Sequence, residues 1–218
     1  SDVYKRQRDN PLVKQLRALA HGNTAYREQG RVWLDGDHLV RALLARGGRP
    51  ALGVFTPGGW AEADDALQGA AERNVRVPDA IMAGISALES PPRMGFVWAL
   101  PAAPALQTET ATVILDRLQD AGNVGSILRS AAALGFAQVL ALKGTAALWS
   151  PKVLRAGMGA HFGLHLVEGL DVSALQALQM PLLVTSSHQG EWLHRAVLPW
   201  PCAWVMGHEG QGASEELM

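Results

Sequence analysis

Apolar residues recur along this chain in two patterns, one on each side of a proline-rich stretch. On the N-terminal side, Leu12, Val13, Leu16 and Leu19 return at helical spacing with Lys14 and Arg17 off that face, which predicts an amphipathic helix with a basic side. A second helix is predicted from Asp37 to Arg46. Leu39, Val40, Leu43 and Leu44 share its apolar face, Asp35 or Asp37 is placed to cap its start, and Gly47-Gly48 ends it. Short apolar runs at Ala51–Phe55 and Val75–Val77, with an alanine-rich helix between them, complete a small α/β layer. Residues 99–108 then hold two prolines and no charge, which suits neither a helix nor a central strand and predicts a linker.

Beyond the linker the alternation is regular. Thr112–Leu115 reads as a strand, Val124–Leu134 as a helix and Val139–Leu142 as a strand; a strand near 164–167, a helix near 172–178 and strands at Leu182–Thr185 and Ala203–Met206 follow. That order predicts a parallel sheet with helices on its faces. The expected organisation is therefore α/β: a small domain over 9–98, a linker over 99–108 and a parallel-sheet domain over 109–218. Parallel sheets bind ligands outside the carboxyl ends of their strands, so the loops after Leu115, Thr185 and Met206 are where chemistry belongs.

Charge sharpens the division. Residues 1–50 hold ten Lys or Arg against five acids, a surplus of five, so with a whole-chain charge of −1 the rest carries −6. A basic N-terminal portion on an acidic remainder suits a module that grips phosphates beside one that does chemistry, and it equally suits a solvated helix face. No stretch approaches the roughly 20 apolar residues of a membrane span, and the first thirty residues carry charges where a signal peptide needs an apolar core, which predicts a cytoplasmic protein. The single cysteine, Cys202, stands in an apolar run and is expected to be a buried strand residue.

Two segments carry candidate chemistry. In the helix after the first strand of the second domain, Val124, Ile127, Leu128, Ala131 and Leu134 fall on one face, and Arg129 points away among the small residues Gly125, Ser126 and Ala133. Asn123 is expected at the N-cap. Geometry alone leaves open whether Asn123 is only a cap and Arg129 only a surface cation. The second segment, Gly207-His208-Glu209-Gly210-Gln211-Gly212, directly follows an apolar strand, and its glycines let the backbone approach a ligand closely. Glu209 there is either an orienting group or an exposed turn charge. The spacing matches neither Gly-x-Gly-x-x-Gly nor a P-loop. His161 and His165 lack a third ligand, His208-Glu209 lacks a zincin's second histidine, and no nucleophile elbow is present, so no metal site is expected.

These segments resemble a known family. Leu115-Asp116-Arg117-Leu118-Gln119-Asp120-Ala121-Gly122-Asn123-Val124-Gly125-Ser126-Ile127-Leu128-Arg129-Ser130-Ala131 resembles the first motif of SpoU/TrmH-type methyltransferases of the SPOUT superfamily, with Ala121 where proline is usual. Pro151 to Ala160 resembles the segment these enzymes carry between motifs, with Gly157 where serine is commoner, and Val205 to Gly212 resembles the second motif. Asn10 to Leu16 and Leu34-Asp35-Gly36 look like the family's N-terminal substrate-binding domain, with Asp35 where glutamate is commoner.

The resemblance implies a trefoil-knotted catalytic domain, a homodimer when full length, that uses S-adenosylmethionine (AdoMet) to methylate a ribose 2'-hydroxyl of ribosomal or transfer RNA, with the N-terminal domain leaning towards ribosomal RNA. It implies catalytic roles for Asn123, Arg129 and Glu209, and a cofactor pocket lined by Thr185, Ser186, Met206, Gly207, Gly210 and Gly212. Candidate RNA contacts are Lys14, Arg17, Arg27 and Arg155. The family's third motif, rich in serine, asparagine and leucine, would lie beyond Met218. The chain is therefore expected to be a piece of a longer protein, its knot incomplete, binding cofactor weakly or not at all and inactive by itself. The competing expectation is an RNA-binding protein that keeps the fold without methyl transfer.

Overall fold

The computed structural model of the protein describes residues 9–186 and 190–218. Lys5, Arg6 and Arg8 of the basic N-terminal portion lie outside the described residues. The chain divides into two compact units: residues 1–101 with 149–162, and 102–148 with 163–218. The segment 149–162, which the linear reading assigns to the second domain, thus packs with the first unit.

The first unit is built on a four-stranded sheet of β1 (Arg31–Asp35), β2 (Leu52–Phe55), β3 (Arg73–Arg76) and β4 (Met94–Ala99), ordered β1-β4-β2-β3. β4 runs antiparallel to β1 and β2, and β3 lies parallel to β2. β2 is buried at all four positions, whereas β3 at the edge keeps Arg73 and Arg76 exposed. The helix Pro11–His21 starts where Asn10 accepts the Leu12 amide at 2.8 Å and buries Val13, Leu16, Leu19 and Ala20. The helix Gly36–Ala45 buries Leu39, Val40 and Leu43.

Asp35 occupies the cap position of that helix without capping it with its side chain. Its carboxylate instead accepts Trp33 Nε1–H at 2.7 Å and an Arg155 guanidinium N–H at 3.1 Å. A charged donor and a buried indole satisfy this almost enclosed anion better than a helix amide would. Arg155 comes from the helix Pro151–Gly157, whose start is capped by Ser150. Trp149 and Phe162, flanking that helix, pack around Trp98 at ring-centroid separations of 5.7 and 5.5 Å.

The second unit holds β5 (Thr112–Leu115), β6 (Gln138–Leu142), β7 (His165–Leu170), β8 (Leu182–Val184) and β9 (Ala203–Met206). All are parallel, in the order β7-β6-β5-β9-β8. β5 is central and buried throughout, because both faces of a parallel sheet are covered. On one face Ile114, Leu140, Val167, Ala203 and Val205 form a core with Leu175. Leu175 belongs to a 3₁₀ segment, Val172–Ala177, in place of the α-helix expected there.

The helix Ala121–Ala133 begins three residues earlier than its apolar periodicity suggests, and its cap is Asp120, which accepts the Asn123 amide at 2.7 Å. Val124, Leu128 and Ala131 are buried as expected, and so is Gly125, expected on the outer face. Leu134 lies past the helix end and is 71% exposed, off the packing face on which it was expected. Cys202 is buried immediately before β9, and burial pushes its thiol pKa up, away from reactive thiolate. Among the described residues no helix is long and apolar enough to cross a membrane.

Candidate functional site

Register decides which loops meet. β5 and β9 are neighbours with Leu115 opposite Met206, so both strands end at the same level and the segments after them emerge side by side. The first leads into the helix Ala121–Ala133 and the second is the loop 207–212. A carboxylate joins them. Glu209 accepts backbone N–H groups from Gln119 at 3.4 Å and Asp120 at 3.2 Å, and the side-chain amide of Asn123 at 3.4 Å. These bonds are long, and together they place one anion beside the first turn of a helix, where unpaired amides favour negative charge.

Asn123 is thus the third residue of the helix rather than its cap, the correction following from Asp120 taking that role. Its side chain is released to face Glu209. Hydrogen bonds hold the Glu209 carboxyl below the ordinary glutamate value. The largest contribution comes from its own backbone amide; desolvation opposes the shift, and Asp120, Asn123 and Gln119 add to it. Glu209 is ionised at neutral pH and already engaged as an acceptor.

The loop is folded back on itself. His208 N–H donates to the Gly212 carbonyl at 3.0 Å and Gly212 N–H to the His208 carbonyl at 2.8 Å. The amides of Gly210 and Gln211 both donate to His208 Nδ1, at 3.0 and 3.2 Å. A Cβ on Gly207 would lie 2.2 Å from the Ala213 nitrogen and 2.3 Å from the Gly212 carbonyl carbon, so no other residue fits. Gly212 has φ +72°, in the left-handed region. Gly210 has ordinary space, with nothing nearer than 3.8 Å.

Arg129 lies further along the same helix. It is exposed, beside exposed Ser126 and Ala133, and carries no hydrogen bond or ion pair to any described residue. A cation held on a rigid helix with no internal partner has its donors available to an anionic ligand.

Three of the expected cofactor residues line cavities among the described residues. Thr185 and Ser186 line a cavity of about 570 Å³ with Trp192 and Trp204. Met206 lines an apolar one of about 490 Å³ with Val113, Leu134 and Trp200. Trp204 and Leu198 line both, and the buried Trp204 Nε1–H has no hydrogen-bond partner among the described residues. The glycines stand at the strand ends, in the loop that follows Met206.

In the first unit, Lys14 is exposed and pairs with Asp9 at 3.5 Å, Arg17 donates to the Gly84 carbonyl at 2.7 Å, and Arg27 lies over the Tyr26 ring at 5.6 Å. Arg155 differs: its side chain is 29% exposed and committed to Asp35. Among the described residues no group of His, Cys, Asp or Glu is placed to hold a metal ion. His165 Nε2 lies 2.6 Å from the Ala105 carbonyl, and His161 is buried.

Sequence reasoning passes over Asp116, Arg117 and Asp120 as site residues. The available signal is an Asp-Arg pair standing where an apolar strand ends and a ligand loop begins.

The parallel sheet, with Glu209 and Asn123 joined across two adjoining strand-end segments and Arg129 further along the same helix, agrees with the SPOUT methyltransferase class that the sequence motifs resemble. The chain belongs to the SpoU rRNA Methylase family, whose model matches residues 110–218. An uncharacterised tRNA/rRNA methyltransferase of Synechocystis sp. is 32% identical over 225 residues, covering 96% of this chain and 79% of that protein. Mitochondrial rRNA methyltransferase 3 of Mus musculus is 36% identical over 157 residues, which is 66% of this chain; the matched part spans 36% of the mouse protein's length. Among solved structures, the SpoU methyltransferase AviRb from Streptomyces viridochromogenes, in complex with AdoMet, superposes with a TM-score of 0.80 at 22% identity, over 95% of this chain and 84% of that one. At that identity the likeness speaks for the fold.

Proposed function

We propose that this chain carries the transfer of a methyl group from AdoMet to a ribose 2'-hydroxyl of RNA, with ribosomal RNA as the substrate class. The observation that carries the reading is the Glu209–Asn123 link between two strand-end segments, with the unpaired Arg129 on the same helix.

A ribose hydroxyl is a weak nucleophile. The site has to align it with an electrophilic methyl group and stabilise the charge that develops on its oxygen. Arg129 suits the stabilising role, because its guanidinium stays charged, an arginine pKa exceeding about 12, and presents donors to a phosphate or a forming alkoxide. It is a poor proton acceptor for the same reason. Glu209 is also a poor base, because its carboxyl is held below the ordinary range and its oxygens are occupied. Its part is to fix the loop against the helix, with Asn123 as the side-chain partner.

The residues fit AdoMet in character. Bound there, AdoMet supplies the methyl group. Met206 and the backbone of Gly207 to Gly212 would hold it, with the polar ends of Thr185 and Ser186 on the β8 side. Gly207 lets the loop close on its own backbone at Gly212 and Ala213, and the Trp204 indole N–H offers a donor with no partner among the described residues. The basic residues Lys14, Arg17 and Arg27 are the candidate contacts to RNA phosphates, acting through charge rather than base identity. The active form we propose is a homodimer.

Incubation of unmodified total RNA with labelled AdoMet, followed by nucleoside digestion, tests the reading. Label is expected in 2'-O-methyl nucleosides; label confined to bases, or none in any RNA fraction, counts against it.

A further inference from the structure

Asp116 is 1% exposed, and a carboxylate that far from water must be answered by donors. The structure supplies them from the loop it adjoins. The Asp116 backbone amide donates to the Met206 carbonyl at 2.9 Å, just before the loop begins, and its Oδ2 accepts the Ser214 amide at 2.6 Å, just after the loop ends. One residue thus holds both ends of the segment that contains Glu209.

Arg117 completes the hold from outside. Its Nε–H donates to Asp116 Oδ1 at 3.1 Å, while its two terminal nitrogens reach Gln211 Oε1 at 3.3 Å and the Gly212 carbonyl at 3.5 Å. To do so the residue takes φ +60°, a left-handed conformation unusual outside glycine. Its amide is fixed there by Thr145 Oγ1 at 3.1 Å, and the Thr145 hydroxyl donates in turn to the Leu115 carbonyl at 3.0 Å. Met158, the other described non-glycine residue at positive φ, sits at a helix C-terminus, where that conformation is an ordinary ending. Arg117 has no such reason. An outlier retained by four hydrogen bonds, two of them to the 207–212 loop, points to a positioning role.

We infer that Asp116 and Arg117 are positioning residues: a clasp that sets the height of the 207–212 loop and, through Glu209, its separation from Asn123. The inference rests on the functional reading above, because it assigns the clasp to the cofactor loop of a methyltransferase. The clasp touches neither Arg129 nor the RNA-contact candidates, so its effect falls on cofactor binding before turnover.

The test uses Arg117→Gly, which keeps the positive φ without strain but removes the side chain, and Arg117→Lys, which restores one cation beside Asp116. Amide hydrogen exchange at Gly212 and Ser214 is measured alongside KM for AdoMet and kcat. In Arg117→Gly, exchange at Ser214 is expected to rise about tenfold and KM for AdoMet about tenfold, with kcat within about threefold; Arg117→Lys recovers part of both. Unchanged exchange at Ser214 overturns the clasp, whether or not the protein methylates RNA. Faster exchange with an unaltered KM overturns the positioning role. Failure of the unaltered protein to methylate any RNA is a separate result: it removes the functional reading and the clasp's role with it, and exchange still decides whether the loop is clasped.

Discussion

Glu209 and Arg129 show how the setting of a charged residue decides its part in a site. Both belong to the same unit. Glu209 is surrounded by donors and Arg129 has no partner among the described residues. A carboxylate whose folded-state pKa is depressed contributes stability that is present above the ordinary glutamate value and is lost as pH falls through the folded value. The link between loop and helix is therefore expected to hold through the neutral range and to fail only in acid, below the ordinary glutamate pKa. A carboxyl titration followed by NMR should find Glu209 below the ordinary glutamate value. A value at or above the ordinary one would contradict the hydrogen bonding described. Glu209→Gln, which keeps an acceptor but loses the charge, should weaken AdoMet binding less than Glu209→Ala.

At the scale of elements, geometry separates glycines that composition treats alike. Gly207→Ala drives a methyl group into the backbone of Gly212 and Ala213, whereas Gly210→Ala meets open space. Calorimetric titration with AdoMet is expected to show binding abolished by the first and nearly unchanged by the second. Equal effects would mean that the loop is not held as described. The helix Ala121–Ala133 offers a similar contrast. Leu128 is fully buried against the sheet, and truncating it to alanine should cost about 2–5 kcal/mol in urea unfolding. Leu134→Ala, at an exposed position, should cost within about 0.5 kcal/mol.

Elements are legible in proportion to how far burial imposes a pattern. β5, β6 and β9 can be read from runs of apolar residues, because both faces of a parallel sheet are covered. β1 and β4 escape such a reading: Val32-Trp33-Leu34 is a three-residue run between charges, and β4 leads straight into the proline-rich stretch. The first turn of the helix after β5, Ala121-Gly122-Asn123, has no apolar period, and its start is set by a side-chain cap at Asp120 instead. Asn123, Arg129 and Glu209 are legible as family motif residues, and the structure adds that two of them touch. Asp116 and Arg117 leave only one mark in the sequence, an Asp-Arg pair at the end of an apolar strand; the partners of a buried carboxylate and a positive φ leave none.

Over the whole molecule, the chain visits its first unit twice, the second time through residues 149–162. Asp35 and Arg155, 120 positions apart, join those visits by an ion pair whose acid is almost fully enclosed. Because the pair is partly shielded and Asp35 keeps its Trp33 partner, Arg155→Ala is expected to cost about 1–3 kcal/mol of the first unit's stability. Chemical denaturation followed through Trp33 would show this as a lower midpoint; an unchanged midpoint would mean that the pair contributes nothing. This pairing bears on Arg155 as a candidate RNA contact, since its guanidinium is partly shielded and already held by an almost enclosed carboxylate, whereas the Lys14 pair with Asp9 is exposed on both sides.

At the centre stands Arg129, proposed to act on an RNA ribose while Glu209 and Asn123 hold the site together. Methyl transfer from labelled AdoMet to unmodified total RNA, by the protein and by Arg129→Ala, tests this most directly. Removing a group that stabilises developing charge commonly lowers turnover by about 10²–10³. A loss of that size in kcat is expected with an unchanged melting temperature, since the side chain has no partner among the described residues. Transfer at the unaltered rate in Arg129→Ala would contradict it, and a folded protein that binds RNA but methylates none would indicate a binding module on this fold.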